Sequence, residues 1–292
     1  MRLNHNMFSL SAFRTYSKSM VENSTALERL STGSKLNAAK DNPKKIGESS
    51  IIRIQLKSLE SSTRNVQDGM SMIQTAESGL NEISSMLQRM RTLTVQAGNE
   101  TYSDDDRQKM QDEVDQLKEG INEIANNTSF NGVRMLGANV KDSNTYVAGQ
   151  SASSENILIG YLSNERMNIS YFNVSCNYLK DENGVALSDI KVTSLAEADK
   201  AYSVIDSAIS TIAKIRSEYG AQSQRLESTA DHIDANSILM NTAESNIVDA
   251  DMAEEIMEYS RTDILRQAAI GIIKQTNEIP MNALQILRNS AR

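Results

Sequence analysis

The side chains able to do chemistry are few in this sequence and poorly grouped. The two histidines, His5 and His232, sit far apart in the chain, each among polar neighbours in a segment of helical character. A general base needs a nucleophile or proton donor within hydrogen-bond reach, and no motif brings one to either histidine. The single cysteine, Cys176, forms neither a CxxC pair nor a zinc set and cannot close an intramolecular disulfide. Asp249 and Asp251 would suit a paired-carboxylate site, but both precede Met252, where a helix begins, and N-capping is the simpler reading. Asp104-Asp105-Asp106 lacks the spacing and glycine of a calcium loop and reads the same way. No phosphate-loop, dinucleotide-loop or nucleophile-elbow pattern occurs. These residues point to no enzyme, no cofactor and no metal site.

The composition narrows the partners. The formal net charge is −8, which disfavours a nucleic-acid backbone as a partner. Lys40, Lys44 and Lys45 make only a small basic cluster, read as a solvated loop. No apolar run is long enough to span a bilayer, so membrane insertion is not expected. Residues Met1 to Phe8 carry neither a continuous apolar stretch nor a small-residue cleavage site. Without another export route, that start reads as cytoplasmic.

The elements that must position these residues are mainly helical. With 292 residues, 39% of them hydrophobic, a sizeable core can form. With 4% aromatics, no Trp and only Pro43 and Pro280 as prolines, long helices are favoured over a many-turned sandwich. Phe13, Tyr16, Met20, Leu27 and Leu30 give the first helix a coiled-coil-like seam, and Gly33 suits its C-terminal cap. A second helix is predicted from about Lys45 to about Ala97, about 80 Å long at 1.5 Å per residue. Its seam runs through Val66, Met70, Ile73, Leu80, Ile83, Leu87 and Met90, and Pro43 suits its first turn. Ser103 with Asp106 resembles a capping box for a third helix over about 104–127. Phe130-Asn131-Gly132-Val133 signals a tight turn. Alternation at Ile157, Ile159 and Tyr161, and at Met167, Ile169 and Tyr171, predicts short strands. Ser151, Ser153 and Ser154 mark an exposed loop. Helix resumes with Ile205, Ile212, Tyr219, Leu226, Ile233 and Met240 in strict seven-residue register. A last helix over about 252–288 carries Leu265, Ala269, Ile272 and Ile279, and Pro280 is expected to kink or interrupt it. The end helices have too few predicted partners to bury their apolar faces within one chain, so self-association is expected. As isolated helices they would be marginal in water.

Several stretches resemble the flagellin family. Leu30-Ser31-Thr32-Gly33-Ser34-Lys35-Leu36-Asn37-Ala38-Ala39-Lys40-Asp41 is similar to the family's segment after the first helix. Arg64-Asn65-Val66-Gln67-Asp68-Gly69-Met70-Ser71, Gln74-Thr75-Ala76-Glu77, Leu87-Gln88-Arg89-Met90-Arg91, Val95-Gln96-Ala97 and Phe130-Asn131-Gly132 continue it in order. Gly220-Ala221-Gln222, Arg225-Leu226-Glu227, Asp249-Ala250-Asp251-Met252-Ala253 and Ile279-Pro280 through Leu287 do so towards the C-terminus. The resemblance covers roughly residues 2–137 and 195–289. It departs at Asn42-Pro43-Lys44-Lys45-Ile46-Gly47, where the family has small apolar residues and no proline, and at Thr92, where glutamate is usual.

The resemblance implies a short bacterial flagellin with a minimal variable region, a structural subunit of the motility filament and not an enzyme. The fold it implies is mainly α: a long antiparallel helical rod with coiled-coil packing of N- and C-terminal helices, plus a small β-hairpin-containing insert. Residues 1–42 and 250–292 would form the terminal polymerisation domain, 43–137 and 195–249 the helical rod, and 138–194 a surface-exposed variable insert. Polymerisation would fall to Phe13, Tyr16, Met20, Leu27, Leu30, Leu265, Ile272, Ile279, Leu284 and Leu287. Arg89, Leu93 and Glu113 match the patch read by the flagellin-sensing Toll-like receptor of animals. Ser151, Ser153 and Ser154 are candidate glycan acceptors. The other implied partners are the chain itself as a helical homopolymer, an export chaperone at the C-terminal helix, and filament cap and hook-junction proteins. Type III export without a cleaved signal peptide would then give an extracellular destination. The alternatives are a hook–filament junction protein of the same fold and a coiled-coil signalling rod.

Overall fold

The computed structural model describes residues 6–137, 153–162, 164–181 and 183–290, with the side chains of 153, 283, 284 and 286–290 outside that description. Five α-helices occur among the described residues: α1 (Met7–Thr32), α2 (Pro43–Ala97), α3 (Asp104–Asn127), α4 (Leu195–Val248) and α5 (Met252–Ser290). Local chemistry sets their ends. Asn6 caps α1 by accepting the Ser9 N–H at 3.1 Å, and Gly33 closes it in the left-handed conformation at φ 69°. Pro43 opens α2, with the Asn42 side chain accepting the Lys45 N–H at 3.1 Å. Lys44 and Lys45 therefore stand in the first turn of a helix and not in a loop. Ser103 accepts the Asp106 N–H at 3.3 Å and donates to its carboxylate at 2.8 Å. Bonds from the Ser103 hydroxyl and backbone hold the Asp106 carboxyl below its ordinary value.

The chain divides into two compact units, residues 1–56 with 238–292, and residues 57–237. In the second unit α2 runs antiparallel to both α3 and α4. Arg91 pairs with Asp206 at 2.7 Å and Glu77 with Arg216 at 3.8 Å on the α4 side, and Arg89 pairs with Glu113 at 2.7 Å on the α3 side. Leu80, Ile83, Leu87 and Met90 of α2, Val114 and Ile121 of α3, and Ile205, Ile212, Tyr219 and Leu226 of α4 are fully buried between them. The heptad row of α4 from Ile205 to Leu226 lies in this core, an intramolecular bundle seam, while Met240 at the end of the row is half-buried in the other unit.

Two antiparallel hairpins decorate this unit. β1 (Ser129–Phe130) and β2 (Val133–Arg134) flank Asn131 and Gly132, whose φ values of 49° and 81° are those of a type I′ turn. β3 (Ser153–Leu158) pairs with β4 (Arg166–Tyr171). Ile159 and Tyr161 fall outside β3, because the chain turns there and the Ile159 amide closes on the Glu165 carbonyl at 2.9 Å. Ser153 and Ser154 lie in β3 and not in a loop, and Ser151 is outside the described residues.

Among the described residues of the 138–194 segment, the stretch from Met167 to Val192 contributes to the core. Phe172, Val174, Cys176, Leu179, Leu187, Ile190 and Val192 are buried. Three polar side chains on one face of α3 hold the backbone of this strap. Gln111 accepts the Val192 N–H at 2.7 Å, Lys118 donates to the Ile190 carbonyl at 2.7 Å, and Asn122 accepts the Cys176 N–H at 2.9 Å. Phe172 meets Tyr219 edge to face at 5.4 Å between ring centres.

Candidate functional site

In the first unit α1 and α5 pack antiparallel, and their contacts divide large residues from small ones. The buried positions of α1 are Ala12, Ser19 and Ala26, seven residues apart, and Gly33 continues their row. Facing them are Glu255, Thr262 and Ala269 of α5, also seven apart and buried. Asn23 ties the pair, donating to Thr262 Oγ1 at 3.1 Å and to the Tyr259 carbonyl at 3.3 Å. Arg29 reaches the nearly buried Glu255 at 3.4 Å, and its Nε is buried without a hydrogen-bond partner among the described residues.

The large apolar residues point elsewhere. Phe13, Met20 and Leu27 are 57%, 55% and 51% exposed, and Leu265, Ile272 and Ile279 of α5 are exposed as well. Tyr16 and Leu30 are half-buried at the margin of the α1–α5 contact. At 100° per residue the Phe13 row is one step around the helix from the Ala12 row, so the small row turns inward and the large one outward. Leu284 and Leu287 lie in α5, with side chains outside the described residues. Exposed apolar positions on this scale call for a partner.

The helix α5 continues through Pro280 and is not interrupted there. Proline has no N–H for the carbonyl four residues earlier, which belongs to Thr276. Asn6 supplies the missing donor: its side-chain amide gives a hydrogen bond to the Thr276 carbonyl at 2.8 Å while its oxygen caps α1.

The carboxylates single out no chemistry. Asp251 caps α5, accepting the Ala253 N–H at 2.9 Å. Asp249 is no cap. Its backbone pairs with Ser34 in a short bridge, and its carboxylate takes the Ser245 hydroxyl. The polar cleft beside them is lined by Arg29, Lys35 and Lys45 against Asp41, Glu254, Glu255 and Glu258, so its charges largely cancel. His232 is exposed on α4, and His5 lies outside the described residues. Among the described residues no His, Cys, Asp and Glu group is placed to hold a metal ion, and no helix is long and apolar enough to cross a membrane.

The three residues expected to meet the receptor differ in exposure. Arg89 and Glu113 form an exposed pair, and the Glu113 bond raises the Arg89 guanidinium above its ordinary value. Leu93 is only 3% exposed and belongs to the core, so it cannot offer an apolar contact beside Arg89. A four-residue step on a helix still turns about 40°, enough to carry Leu93 into the interior.

Residues 3–141 match the bacterial flagellin N-terminal helical region, and residues 202–287 match the C-terminal helical region. The chain belongs to the flagellin family. It is 35% identical over 288 residues to the flagellin of Halalkalibacterium halodurans, covering 99% of this chain and 100% of that one. It is 34% identical over 304 residues to the flagellin of Bacillus subtilis, again covering 99% and 100%. Among solved structures, a putative flagellar hook-associated protein from Vibrio parahaemolyticus superposes with a TM-score of 0.59 over 72% of this chain and 100% of that one. At 15% identity this likeness concerns the fold alone. Flagellins are structural subunits of the bacterial flagellar filament, outside the cell, and not enzymes. The matches span the whole length, so the family's short form fits and a signalling rod does not.

Sequence reasoning missed the row that pairs α1 with α5. Ala12, Ser19 and Ala26 carry a seven-residue signal of their own, hidden because hydrophobic patterning weights large residues.

Proposed function

We propose that the outward rows of α1 and α5 join neighbouring copies in the filament. Phe13, Tyr16, Met20, Leu27 and Leu30 act on α1, and Leu265, Ile272, Ile279, Leu284 and Leu287 on α5. The observation that carries this reading is the exposure of Phe13, Met20, Leu27, Ile272 and Ile279 on helices already paired through other faces. Burying each such side chain contributes about 1.5–3 kcal/mol. In this reading residues 1–42 and 250–292 polymerise, residues 43–137 and 195–249 form the rod, and the outer part of 138–194 faces solvent, where Ser151, Ser153 and Ser154 accept glycans. The product is a homopolymer that drives motility.

The same exposed face of α5 suits an export chaperone that shields it before assembly, with export proceeding without a cleaved signal peptide. Cap and hook-junction proteins meet the filament ends. The Arg89–Glu113 pair supplies the polar part of a surface for the flagellin-sensing Toll-like receptor. Arg89 brings a planar fork of donors suited to interface recognition.

The test is seeded polymerisation followed by electron microscopy. The full chain is expected to extend seeds into filaments, and a chain lacking residues 255–292 to remain folded and unpolymerised. Normal filaments from the truncated chain would overturn the assignment. Assembly limited to short caps on seeds would favour the junction-protein alternative.

A further inference from the structure

The methionines of this chain are distributed unevenly. Of those whose side chains are described in residues 57–237, Met72, Met90, Met135 and Met167 are buried and Met70, Met86 and Met110 half-buried. In the other unit Met240 of α4 is half-buried, and Met7, Met20, Met252, Met257 and Met281 are exposed, from 45% at Met252 to 69% at Met7. All five lie on α1 and α5. Met20 shares the row of Phe13 and Leu27, and Met281 follows Ile279.

A thioether in water is open to two-electron oxidants, whereas one in a packed core is shielded. Its sulfur lone pair attacks one oxygen of a hydroperoxide. The O–O bond breaks, an S–O bond forms, the sulfur is oxidised by two electrons, and hydrogen peroxide leaves as water. The product is a polar, chiral sulfoxide where an apolar, adaptable side chain stood.

We propose that Met7, Met20, Met252, Met257 and Met281 are a peroxide-sensitive modification set whose oxidation to sulfoxides blocks assembly reversibly. The chemical class of reactant is a hydroperoxide, and the class of enzyme that would reverse the change is a methionine sulfoxide reductase. The inference rests on the assembly role proposed for α1 and α5. Oxidation at Met20 places a sulfoxide oxygen in the row that neighbouring copies would have to dehydrate, and the other four add polar groups on the same two helices.

The experiment uses full-length monomer treated with graded hydrogen peroxide, read by peptide mass spectrometry and by seeded polymerisation. The five named methionines are expected to oxidise at least about tenfold faster than Met72, Met90, Met135 and Met167, as shielding requires. Seeded growth is expected to fall at least about tenfold once they are converted, the equivalent of one lost apolar side chain or more. Sulfoxide reductase should restore it. A variant with Met7, Met252, Met257 and Met281, the four outside the proposed joining rows, replaced by leucine, a volume-conserving change, should polymerise untreated and lose less growth after peroxide than the wild type. Equal oxidation rates in the two sets would overturn the proposal. So would undiminished growth of oxidised wild type, or a loss of growth in the peroxide-treated variant as large as the wild type's. If the untreated variant does not grow, the reductase arm decides, and failure to restore growth overturns the proposal. The truncation lacking residues 255–292 separates the two readings. Its growth would defeat the assembly role without peroxide, whereas the oxidation map stands or falls by itself.

Discussion

Asn6 and Pro280 are 274 positions apart in the chain and meet at one carbonyl, which allows a quantitative test. Asn6 does two jobs: its oxygen caps α1 at the Ser9 N–H, and its amide donates to the Thr276 carbonyl that Pro280 leaves without a partner. The substitution Asn6→Ser separates them. Serine ranks with asparagine as a cap, but its hydroxyl is too short to reach Thr276. The bond lost is neutral, part-buried and 2.8 Å long. It is worth about 1 kcal/mol. Pro280→Ala restores a main-chain donor to Thr276, so Asn6→Ser in that background should cost almost nothing. The expected coupling between the two sites is therefore about 1 kcal/mol, or about fivefold in an opening equilibrium. Hydrogen exchange at the amides of α1's first turns reads it, under conditions where reclosing outruns exchange. Asn6→Ser should lower protection about fivefold with Pro280 present and leave it unchanged with Pro280→Ala. Equal losses in the two backgrounds, or no loss in either, would refute the assignment of Asn6 as the substitute donor.

Two further outcomes follow from packing and burial in residues 57–237. At Gly79 a Cβ would come within 2.8 Å of Thr128 Oγ1 and 2.9 Å of Leu136 Cδ1, whereas at Gly220 it would meet nothing within 4 Å. Gly79→Ala should therefore destabilise by about 1–3 kcal/mol despite its better helix propensity, and Gly220→Ala should stabilise by up to about 1 kcal/mol. Denaturant midpoints moving the same way for both would contradict the close approach at Gly79. Burial pushes the Cys176 thiol up from 9.0 to about 11. The folded state thus favours the neutral thiol, so its stabilising effect is complete below about pH 9 and is lost as pH rises through about 11. Tyr171, pushed from 10.0 to about 12 by burial with Glu155 beside it, acts with the same sign at higher pH. Chemical unfolding across this range should show stability falling from about pH 9, and Cys176→Ala should delay the onset towards the Tyr171 range. An unchanged onset would show that the thiol does not titrate as its burial requires.

What could be read from sequence was whatever local chemistry decides. The box at Ser103 and Asp106, the left-handed cap at Gly33, the Asn131-Gly132 turn and the α4 row from Ile205 to Leu226 each depend on residues within a turn or two. The missed features depend on long-range contacts. Nothing near Gln111, Lys118 or Asn122 says that they bind the main chain of a strap some 55–80 residues away. The strap looked like an exposed insert because its glycines and serines resemble loop composition. Its buried residues, Phe172 to Val192, follow no period that a single strand or helix would impose. The family resemblance puts Leu93 in one patch with Arg89, and only the packing of α2 in its bundle shows that Leu93 belongs to the core.

The separation of small and large rows on α1 ties the sequence to assembly. Had Phe13, Met20 and Leu27 faced α5, the pair would have buried its strongest apolar surface within one chain and left little to drive association. Ala12, Ser19 and Ala26 bury less area, while Asn23, Thr262 and the Arg29–Glu255 pair give the contact its register through hydrogen bonds. Net hydrogen bonds contribute about 1 kcal/mol each, so such a contact orients the helices more than it stabilises them. Three large side chains buried between copies would contribute roughly 5–9 kcal/mol before the cost of association. In the proposed assembly the internal contact sets where the outward rows stand, and a second copy would bury the apolar area that this contact leaves exposed.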